Sequence, residues 1–453
     1  MVCRFTCHCI IEKINREATL FPVPLSDTKP FFMMRNNQSA LLWAMSLLCL
    51  LSLSSCLKDH CTQTYKLYAP VYKTLSQVRK EMKSSSPQPL KAPGKLYIYG
   101  KYIFLNEQQK GIHIIDNSDP ASPKNIAFVN IPGNVDLAVK GNTLYADSWS
   151  DLVTFDISNP QEVVAKNFLN NVFPHRAIYY SSAGNINPDS IRVVVSWQER
   201  DTTVDCESYR MLYETYYSLA SADSKGNYAS PNLGGGQGGS MARFTLINNY
   251  LYTVSNSTLN TFDVTTAQQP AYVNKINLNN GGIETIFPFK DKLFIGSTSG
   301  MYIYNVTSPV APTAQGTFSH VRSCDPVIAD DEYAYVTLRS GTACQGFTNQ
   351  LEVLSIVNPI SPSMVKVYPM TNPHGLSKDN NLLFICDGQD GVKVYDAANV
   401  SDLKLLKKIE GIDAYDVIAY NKRALVVAKD GLYQFNYADV SNIKLLSKIV
   451  LDK

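Results

Sequence analysis

The stretch Phe155-Asp156-Ile157-Ser158-Asn159-Pro160 decides the fold, because six variants of it recur along the chain. Each variant has a short alternating apolar run, then Asp, Asn or Ser, then a small polar turn that usually carries Pro. Consecutive copies lie 40, 107, 42, 50, 41 and 40 residues apart, so the period is near 40 residues. The residues at this motif position are Asp116, Asp156, Asp263, Asn305, Ser355, Asp396 and Asn436.

A period near 40 residues with short β-rich runs is typical of the four-stranded blades of a β-propeller. In the second repeat, the apolar runs predict an inner strand at 136–140, a second strand at 144–146, a third at 152–156 and an outer strand at 163–169. The proline-bearing turn would join the third strand to the outer one, because Pro fixes φ and donates no ladder hydrogen bond. The predicted fold class is therefore an all-β propeller.

The interval of 107 residues between two motif copies leaves the number of blades open. Residues 176–180 (RAIYY) and 191–197 (IRVVVSW) resemble an inner and a second strand, which would make one degenerate blade and eight blades in total. The alternative is seven blades, with the interval forming an elaborated loop. No C-terminal strand completes the first blade, so we expect the ring to close by face-to-face packing of its first and last blades.

The domain organisation follows from these patterns. The propeller is predicted to span 94–453, with an insertion at about 199–240, and 56–93 are interpreted as a tether with a short helix near 74–82 (TLSQVRKEM). Residues 33–55 have a basic start, an apolar core and small residues at the end, as a secretory signal peptide does. Residues 1–32 fit neither a signal nor a domain and are interpreted as a gene-model extension.

The sequence Leu53-Ser54-Ser55-Cys56 directly after the apolar core resembles the lipobox of bacterial lipoproteins. That resemblance implies a diacylated Cys56 and a membrane anchor. The alternative is an ordinary secretory cleavage beside an incidental cysteine.

The repeats resemble those of LVIVD-repeat β-propeller proteins, and with the lipobox the chain resembles the LVIVD-repeat lipoproteins found in Bacteroidetes. The similarity covers roughly residues 94–453 and departs from the family pattern at Ser355, in the proline-less turns near Asp396 and Asn436, and in the insertion. It implies a cell-envelope location as an outer-membrane lipoprotein, periplasmic or surface-exposed, and it brings no catalytic motif. The segments that carry it are LVTFDISNP (152–160), GIHIIDNSDPASP (111–123) and GVKVYDAANV (391–400).

A second count locates candidate site residues at the beginning of the inner strands, eight positions before the second strand of each repeat. In a propeller these positions form a ring around one mouth of the central channel. The ring is either a polar pocket for a ligand or a set of solvent-exposed positions that tolerate charge. In the second case, its acidic and basic side chains would form ion pairs with one another. The candidates are Asp136, Arg243, Thr285, Asp325, His374 and Asp416, with His175, Glu284 and Arg322 a few residues away along the chain.

Catalytic and cofactor signals are weak. The chain has no HExxH, GxSxG or phosphate-loop pattern, and none of its six histidines has metal-ligand spacing. We therefore expect no catalytic residue, no cofactor and no metal. Lys plus Arg (41) nearly balance Asp plus Glu (39), which argues against a nucleic-acid partner.

Two further features concern cysteines and the insertion. Cys324 and Cys344 are expected to form a disulfide between neighbouring strand ends, the alternative being two free thiols. Cys386, inside the strand LLFIC, is expected to be a buried small hydrophobe. The insertion also carries four tyrosines, which are Tyr209, Tyr213, Tyr216 and Tyr217. One interpretation is that they contact a partner, either a glycan or a protein, and the alternative is that they pack onto their own blade.

The functional hypothesis is a lipid-anchored, non-enzymatic envelope propeller that binds a protein or glycan partner. One alternative is a glycan-active or metal-dependent envelope enzyme that uses the acids and His374 of the ring. The other is a structural scaffold of an envelope complex.

Overall fold

The computed structural model describes residues 62–176, 179–180, 191–205, 237–278, 282–321, 326–340 and 347–452. Residues 64–453 form one compact unit. Its described part contains seven antiparallel sheets in chain order that are the blades of an all-β propeller. Six of them have four strands, and the first has six because the short strands Ser84–Ser85 and Gln237–Gly238 extend its two edges.

A strand and a helix precede the first blade. Thr74 begins the helix with a reciprocal cap, in which the Gln77 N–H donates to the Thr74 hydroxyl at 3.1 Å and the Thr74 N–H donates to the Gln77 side chain at 2.9 Å. Leu75 and Val78 of this helix pack into the apolar core of the first two blades. None of the described helices is long and apolar enough to cross a membrane. The elements are β1 (Thr62–Thr74), α1 (Leu75–Glu81) and β2 (Ser84–Ser85).

The seven blades each contain four consecutive strands, from the innermost to the outermost. Blade 1 has β3 (Pro93–Tyr99), β4 (Tyr102–Glu107), β5 (Gly111–Asp116) and β6 (Lys124–Asn130), and blade 2 has β7 (Leu137–Lys140), β8 (Thr143–Ser148), β9 (Asp151–Asp156) and β10 (Val164–Leu169). Between blades 2 and 3 in the sequence lie three further strands, β11 (Tyr179–Tyr180), β12 (Arg192–Asp205) and β13 (Gln237–Gly238). Blade 3 has β14 (Phe244–Ile247), β15 (Tyr250–Val254), β16 (Thr258–Asp263) and β17 (Ala271–Asn277), and blade 4 has β18 (Ile283–Phe289), β19 (Lys292–Ser297), β20 (Gly300–Asn305) and β21 (Thr313–Ser319).

Blades 5 to 7 complete the ring. Blade 5 has β22 (Val327–Ala329), β23 (Tyr333–Leu338), β24 (Gln350–Ser355) and β25 (Ser363–Pro369), and blade 6 has β26 (Leu376–Asp379), β27 (Leu382–Cys386), β28 (Val392–Asp396) and β29 (Lys404–Ile409). Blade 7 has β30 (Ala414–Tyr420), β31 (Arg423–Ala428), β32 (Gly431–Asn436) and β33 (Lys444–Val450). The four strands predicted for the second repeat agree with β7 to β10 within a few residues.

The expectation of eight blades is wrong, and the seven-bladed alternative is correct. β11 and β12, which contain much of the segments expected to form a degenerate blade, pair with each other and belong to a separate three-stranded sheet in the order β1-β12-β11. The reason is that the interval carries no motif copy to supply a third and a fourth strand. The long strand β12 instead pairs with β1, which precedes the propeller in sequence.

The repeated motif ends the third strand of every blade and stabilises the turn to the outer strand. In six of the seven copies, the side-chain oxygen at the motif position accepts a hydrogen bond from the N–H two residues later, at 2.7–2.9 Å. These turns are Asx-turns, which fix the backbone direction locally. The six copies are Asp116, Asp156, Asp263, Asn305, Asp396 and Asn436.

Blades 1 and 7 close the ring by face-to-face packing, as expected. Their side chains share one apolar cluster, to which Ile103 and Leu105 contribute from blade 1 and Leu425 from blade 7. Asn117 and Gln434 exchange two side-chain hydrogen bonds, of 3.0 and 2.7 Å, across the same seam. In the described part of the chain, the four consecutive strands of each blade come from one continuous stretch. The ring is therefore closed by packing between blades 1 and 7, and not by a blade built from both ends of the propeller sequence.

Candidate functional site

The ring predicted from sequence lies at one end of the inner strands, which contact one another in sequence order around the axis. Asp136 directly precedes β7, and Arg243 directly precedes β14. Asp136, His374 and Asp416 are each at most 5% exposed, whereas Arg243 is half-buried. The carboxylates of Asp136 and Asp416 therefore lie inside the protein and not on an exposed rim.

Lys95 on β3 is a further member of this ring that the sequence analysis missed. It lies eight positions before Ile103, so the same count applied to the first repeat identifies it. Its ammonium group is 3.8 Å from the nearest oxygen of Asp136 and donates to the carbonyl of Met241 at 2.7 Å. Burial lowers the pKa of Lys95 to about 8, although the charge of Asp136 opposes the shift.

Asp136 is held by backbone groups on two blades. Its carboxylate accepts from the N–H of Leu137 at 2.7 Å and from the N–H of Arg243 in a very close hydrogen bond. Burial raises the pKa of this carboxyl, while Lys95 and the two N–H donors act in the opposite direction. Asp136 thus ties blade 2 to the first residue of blade 3.

Asp416 is fully buried on the first strand of blade 7. One carboxylate oxygen accepts from the N–H of Val417 at 3.0 Å and from the N–H and hydroxyl of Ser240 at 3.2 and 3.3 Å. The other oxygen has no hydrogen-bond partner among the residues that the structure describes. Burial raises the pKa of Asp416 to about 7 despite these donors. A β-carbon at Gly239 or Gly375 would collide with this carboxylate, so both close approaches require glycine.

The chain's own segment 239–242 is the principal partner of the ring. Gly239 donates to the Leu96 carbonyl at 3.0 Å, and the Ala242 carbonyl accepts from Ile286 at 2.8 Å. The Ser240 hydroxyl also accepts from the N–H of Leu376. This segment therefore links blades 1, 4, 6 and 7. It begins directly after β13, which pairs with β3, so the end of the glycine-rich sequence at 234–240 is hydrogen-bonded to blade 1.

His374 lies at the edge of the cluster and is electrically neutral. Burial, with a smaller contribution from the charge of Arg339, lowers the pKa of its imidazole to about 3. Its Nε2 lies 3.2 Å from the amide of Asn372, and its ring lies beside Tyr415 with 5.2 Å between centroids. A neutral, enclosed imidazole is poorly suited to donate a proton at neutral pH.

The remaining predicted residues are placed as follows. Arg243 Nε donates to the backbone carbonyl of Glu284 at 3.3 Å, so the structure brings these two positions together. Arg176, which the sequence analysis did not single out, pairs with Asp147 and donates to the Gly133 carbonyl at 2.6 Å. The backbone of His175 lies in the short turn Pro174–Arg176. Residues outside the described part of the chain are Cys56, Arg322, Cys324, Asp325, Cys344 and the insertion tyrosines Tyr209, Tyr213, Tyr216 and Tyr217.

Cys386 is fully buried in the apolar cluster of blades 6 and 7, as expected for a small hydrophobe. Burial raises the pKa of its thiol well above the usual value.

The sheet formed by β1, β12 and β11 presents a second candidate surface, which we call the aromatic face. The hydroxyls of Thr64 and Thr203 lie 2.8 Å apart, and Lys66 pairs with Glu199, so β1 and β12 run antiparallel with these side chains on one face. Because side chains alternate along a strand, that face also carries three aromatic rings. They are Tyr68, Tyr72 and Trp197, which are 50%, 36% and 53% exposed.

One family model matches part of the sequence. A family model described as LVIVD repeat matches residues 94–130 and 133–167, which correspond to the strands of blades 1 and 2. Curated proteins give no match.

Three solved structures resemble the chain at low identity. The computationally designed Ika8 protein is 10% identical with a TM-score of 0.48, covering 80% of this chain and 88% of its own. BamB from Moraxella catarrhalis is 8% identical with a TM-score of 0.46, covering 81% and 97%. PorZ, described as an essential bacterial surface component of the type-IX secretion system of Porphyromonas gingivalis, is 12% identical with a TM-score of 0.44, covering 82% and 39%.

The repeat match and the strand order lead to one conclusion. The chain carries LVIVD repeats, and its fold is a seven-bladed β-propeller.

Proposed function

We propose that this protein is a non-enzymatic, lipid-anchored binding module of the bacterial cell envelope that binds a glycan through its aromatic face. The observation that carries the proposal is the exposure of Tyr68, Tyr72 and Trp197 on one side of a sheet added to the propeller. Aromatic rings with polar tips supply large apolar area together with hydrogen-bonding capacity, which suits the alternating apolar and hydroxyl surfaces of a sugar.

The polar groups around these rings favour a glycan over a purely apolar partner. Lys66 and Glu199 neutralise each other, and the hydroxyls of Thr64 and Thr203, which bond each other, lie exposed on the same face. Tyr68 and Tyr72 are four residues apart on β1, which corresponds to roughly 13 Å. A platform of this length fits an extended oligosaccharide better than a single sugar.

The ring at the channel mouth supports the non-enzymatic part of the proposal. The carboxylate of Asp136 and one carboxylate oxygen of Asp416 accept from backbone donors, Asp416 also from Ser240, and His374 is buried and neutral. Groups held in this way stabilise the propeller and are poorly exposed to a substrate.

Affinity electrophoresis of the purified propeller in gels containing soluble polysaccharides tests glycan binding. We expect Trp197→Ala to weaken binding about tenfold, since stacking of one ring contributes on the order of 1 kcal/mol or more. Trp197→Phe should retain part of the affinity, and Tyr420→Ala, at an exposed tyrosine on blade 7, should leave it unchanged. Equal retardation of wild type and Trp197→Ala, or saturable binding to a protein partner alone, would contradict the proposal.

The anchor requires a separate test. Cys56→Ala in the full-length chain removes the thiol that would be acylated, so we expect the variant to leave the membrane fraction and to lose incorporation of labelled palmitate. Cys386→Ala serves as the matched cysteine control. Membrane retention of the Cys56→Ala variant would overturn the lipid anchor and leave the glycan proposal standing.

A further inference from the structure

A groove of about 590 Å³ lies between the chain segment after α1 and blade 1. This volume is within the range of ligand pockets, roughly 300–1,000 Å³. Its apolar walls include Phe128, Pro132 and Val195, and three lysines line it as well. They are Lys83, Lys91 and Lys110, all of them exposed.

Hydrogen bonds fix both walls of the groove. β2 pairs with β6 through Ser84 opposite Val129 and Ser85 opposite Phe128, so this wall extends blade 1 outwards. On the other side, Glu107 accepts from the N–H groups of residues 91 and 92 at 3.1 and 2.8 Å. The groove is therefore preformed, and binding would require little ordering of the chain.

The three lysines give the groove a net positive charge, because both of its carboxylates are already bonded to other groups of the protein. Glu81 is bonded by Lys73 at 2.5 and 2.7 Å. Glu107 is almost completely buried and lies 3.2 Å from Nε2 of His113, and the hydrogen bonds to Glu107 lower its pKa although burial opposes the shift. Lys91 and Lys110 lie 3.7 and 3.8 Å from their nearest acids, Asp452 and Glu107, which are long separations for exposed ion pairs.

The groove lies on the same side of β12 as the aromatic face. Val195 lines the groove, and Trp197 is two residues further along the same strand, so alternation directs both side chains to one side of the sheet. A chain molecule that stacks on Trp197 can therefore continue past Val195 into the groove.

We propose that the glycan is acidic, with carboxylate-bearing sugars held in the groove by Lys83 and Lys110 while neighbouring sugars stack on the aromatic face. This inference rests on the proposed glycan binding and adds the substrate class. The apolar walls receive the sugar rings, and the exposed ammonium groups receive the carboxylates. Glu107, 3.8 Å from the Lys110 ammonium, is buried and hydrogen-bonded to two backbone N–H groups, and Lys83 has no such neighbour among the ion pairs of the described residues.

The test compares two probes that differ only in charge, polygalacturonate oligosaccharides and the same oligosaccharides as methyl esters. Isothermal titration with the folded wild type should show the acid binding at least about fivefold more tightly than the ester, the difference that one to two exposed ion pairs provide. The double variant Lys83→Gln/Lys110→Gln should lose this preference and keep its affinity for the ester. Lys124→Gln, an exposed lysine of β6 outside the groove, is the matched control and should behave as wild type.

The outcomes separate the two proposals. Equal affinity of the wild type for acid and ester, or an acid preference that survives in the double variant, overturns the acidic-glycan inference and leaves glycan binding intact. Loss of the preference in the Lys124→Gln control also overturns it, because the effect would then come from net charge. If neither oligosaccharide binds, and Trp197→Ala changes nothing for other glycans, the proposed function itself fails.

Discussion

The carboxylate of Asp416 is enclosed by Gly239, Gly375 and Ser240 and lies in the field of Lys95. Three backbone or hydroxyl donors hold one of its oxygens, while the other has no hydrogen-bond partner in the described part of the chain. Such a group favours the protonated form, because burial penalises a charge more than these donors compensate. The stability of the propeller should therefore depend on the protonation of this residue.

We predict that the free energy of unfolding contains a contribution from Asp416 that falls as pH rises from about 4 to about 7. The pKa of Asp416 is about 7 in the folded chain against 3.8 ordinarily, so the folded state binds more protons within this window. The contribution is at most about 1.4 kcal/mol for each pH unit. Urea unfolding of wild type and Asp416→Asn at pH 4.5, 6 and 8 should show the variant gaining relative stability with pH.

Asp402→Asn is the control for the loss of an exposed carboxylate, which pairs with Lys404 at the surface. A constant difference for Asp416→Asn across the three pH values would mean that Asp416 does not titrate in this window.

Lys95 shows how much of the ring a count along the sequence can locate. The eight-residue spacing identifies Asp136, Arg243, His374 and Asp416, and it also applies to Lys95 once the first repeat is included. The spacing does not reveal their burial. Burial depends on segment 239–242, whose position relative to the ring is set by contacts with four blades.

At the scale of a single blade, the motif turn and the strands around it are governed by neighbouring residues. The Asx bond at the end of each third strand spans only two residues, and the adjacent strands pair through short connections. Aspartate and asparagine both occur at this position, because either side chain offers an oxygen to the N–H two residues later.

We predict that Asp263→Ala lowers the free energy of unfolding, because the turn loses one hydrogen bond. The N–H of Thr265 then loses an acceptor at 2.7 Å in a turn. Asp263→Asn should stay close to wild type, since Asn305 and Asn436 make the same bond naturally. Urea denaturation at neutral pH measures both variants, and equal loss in the two would show that charge rather than the Asx bond stabilises this turn.

At the scale of the whole molecule, the seam between blades 1 and 7 joins the two ends of the propeller sequence. The other seams connect blades that follow one another in the chain, whereas this one depends on the shared apolar cluster and on the paired amides of Asn117 and Gln434. The stability of the packing at this seam should therefore decide whether blades 1 and 7 separate before the rest of the propeller unfolds.

We predict that Leu425→Ala destabilises the protein by about 2–5 kcal/mol and opens this seam first, because it leaves a cavity in the closing cluster. Hydrogen exchange should show early loss of protection in β3 to β5 and in β30 to β32. Leu383→Ala, at a fully buried leucine in the second strand of blade 6 away from the seam, should cost a similar amount without selective exchange at the seam. Uniform exchange in both variants would indicate that the ring unfolds as one unit.

The sequence by itself determined the blade architecture, the strand order within blades and the role of the motif, because each depends on residues close together in the chain. The tertiary structure decided the number of blades, since β12 could have entered the ring but pairs with β1, more than a hundred residues earlier. It also decided that the ring at the channel mouth binds the chain's own segment 239–242. Both outcomes depend on which distant segments meet, and the local periodicity of a repeat carries no information about that choice.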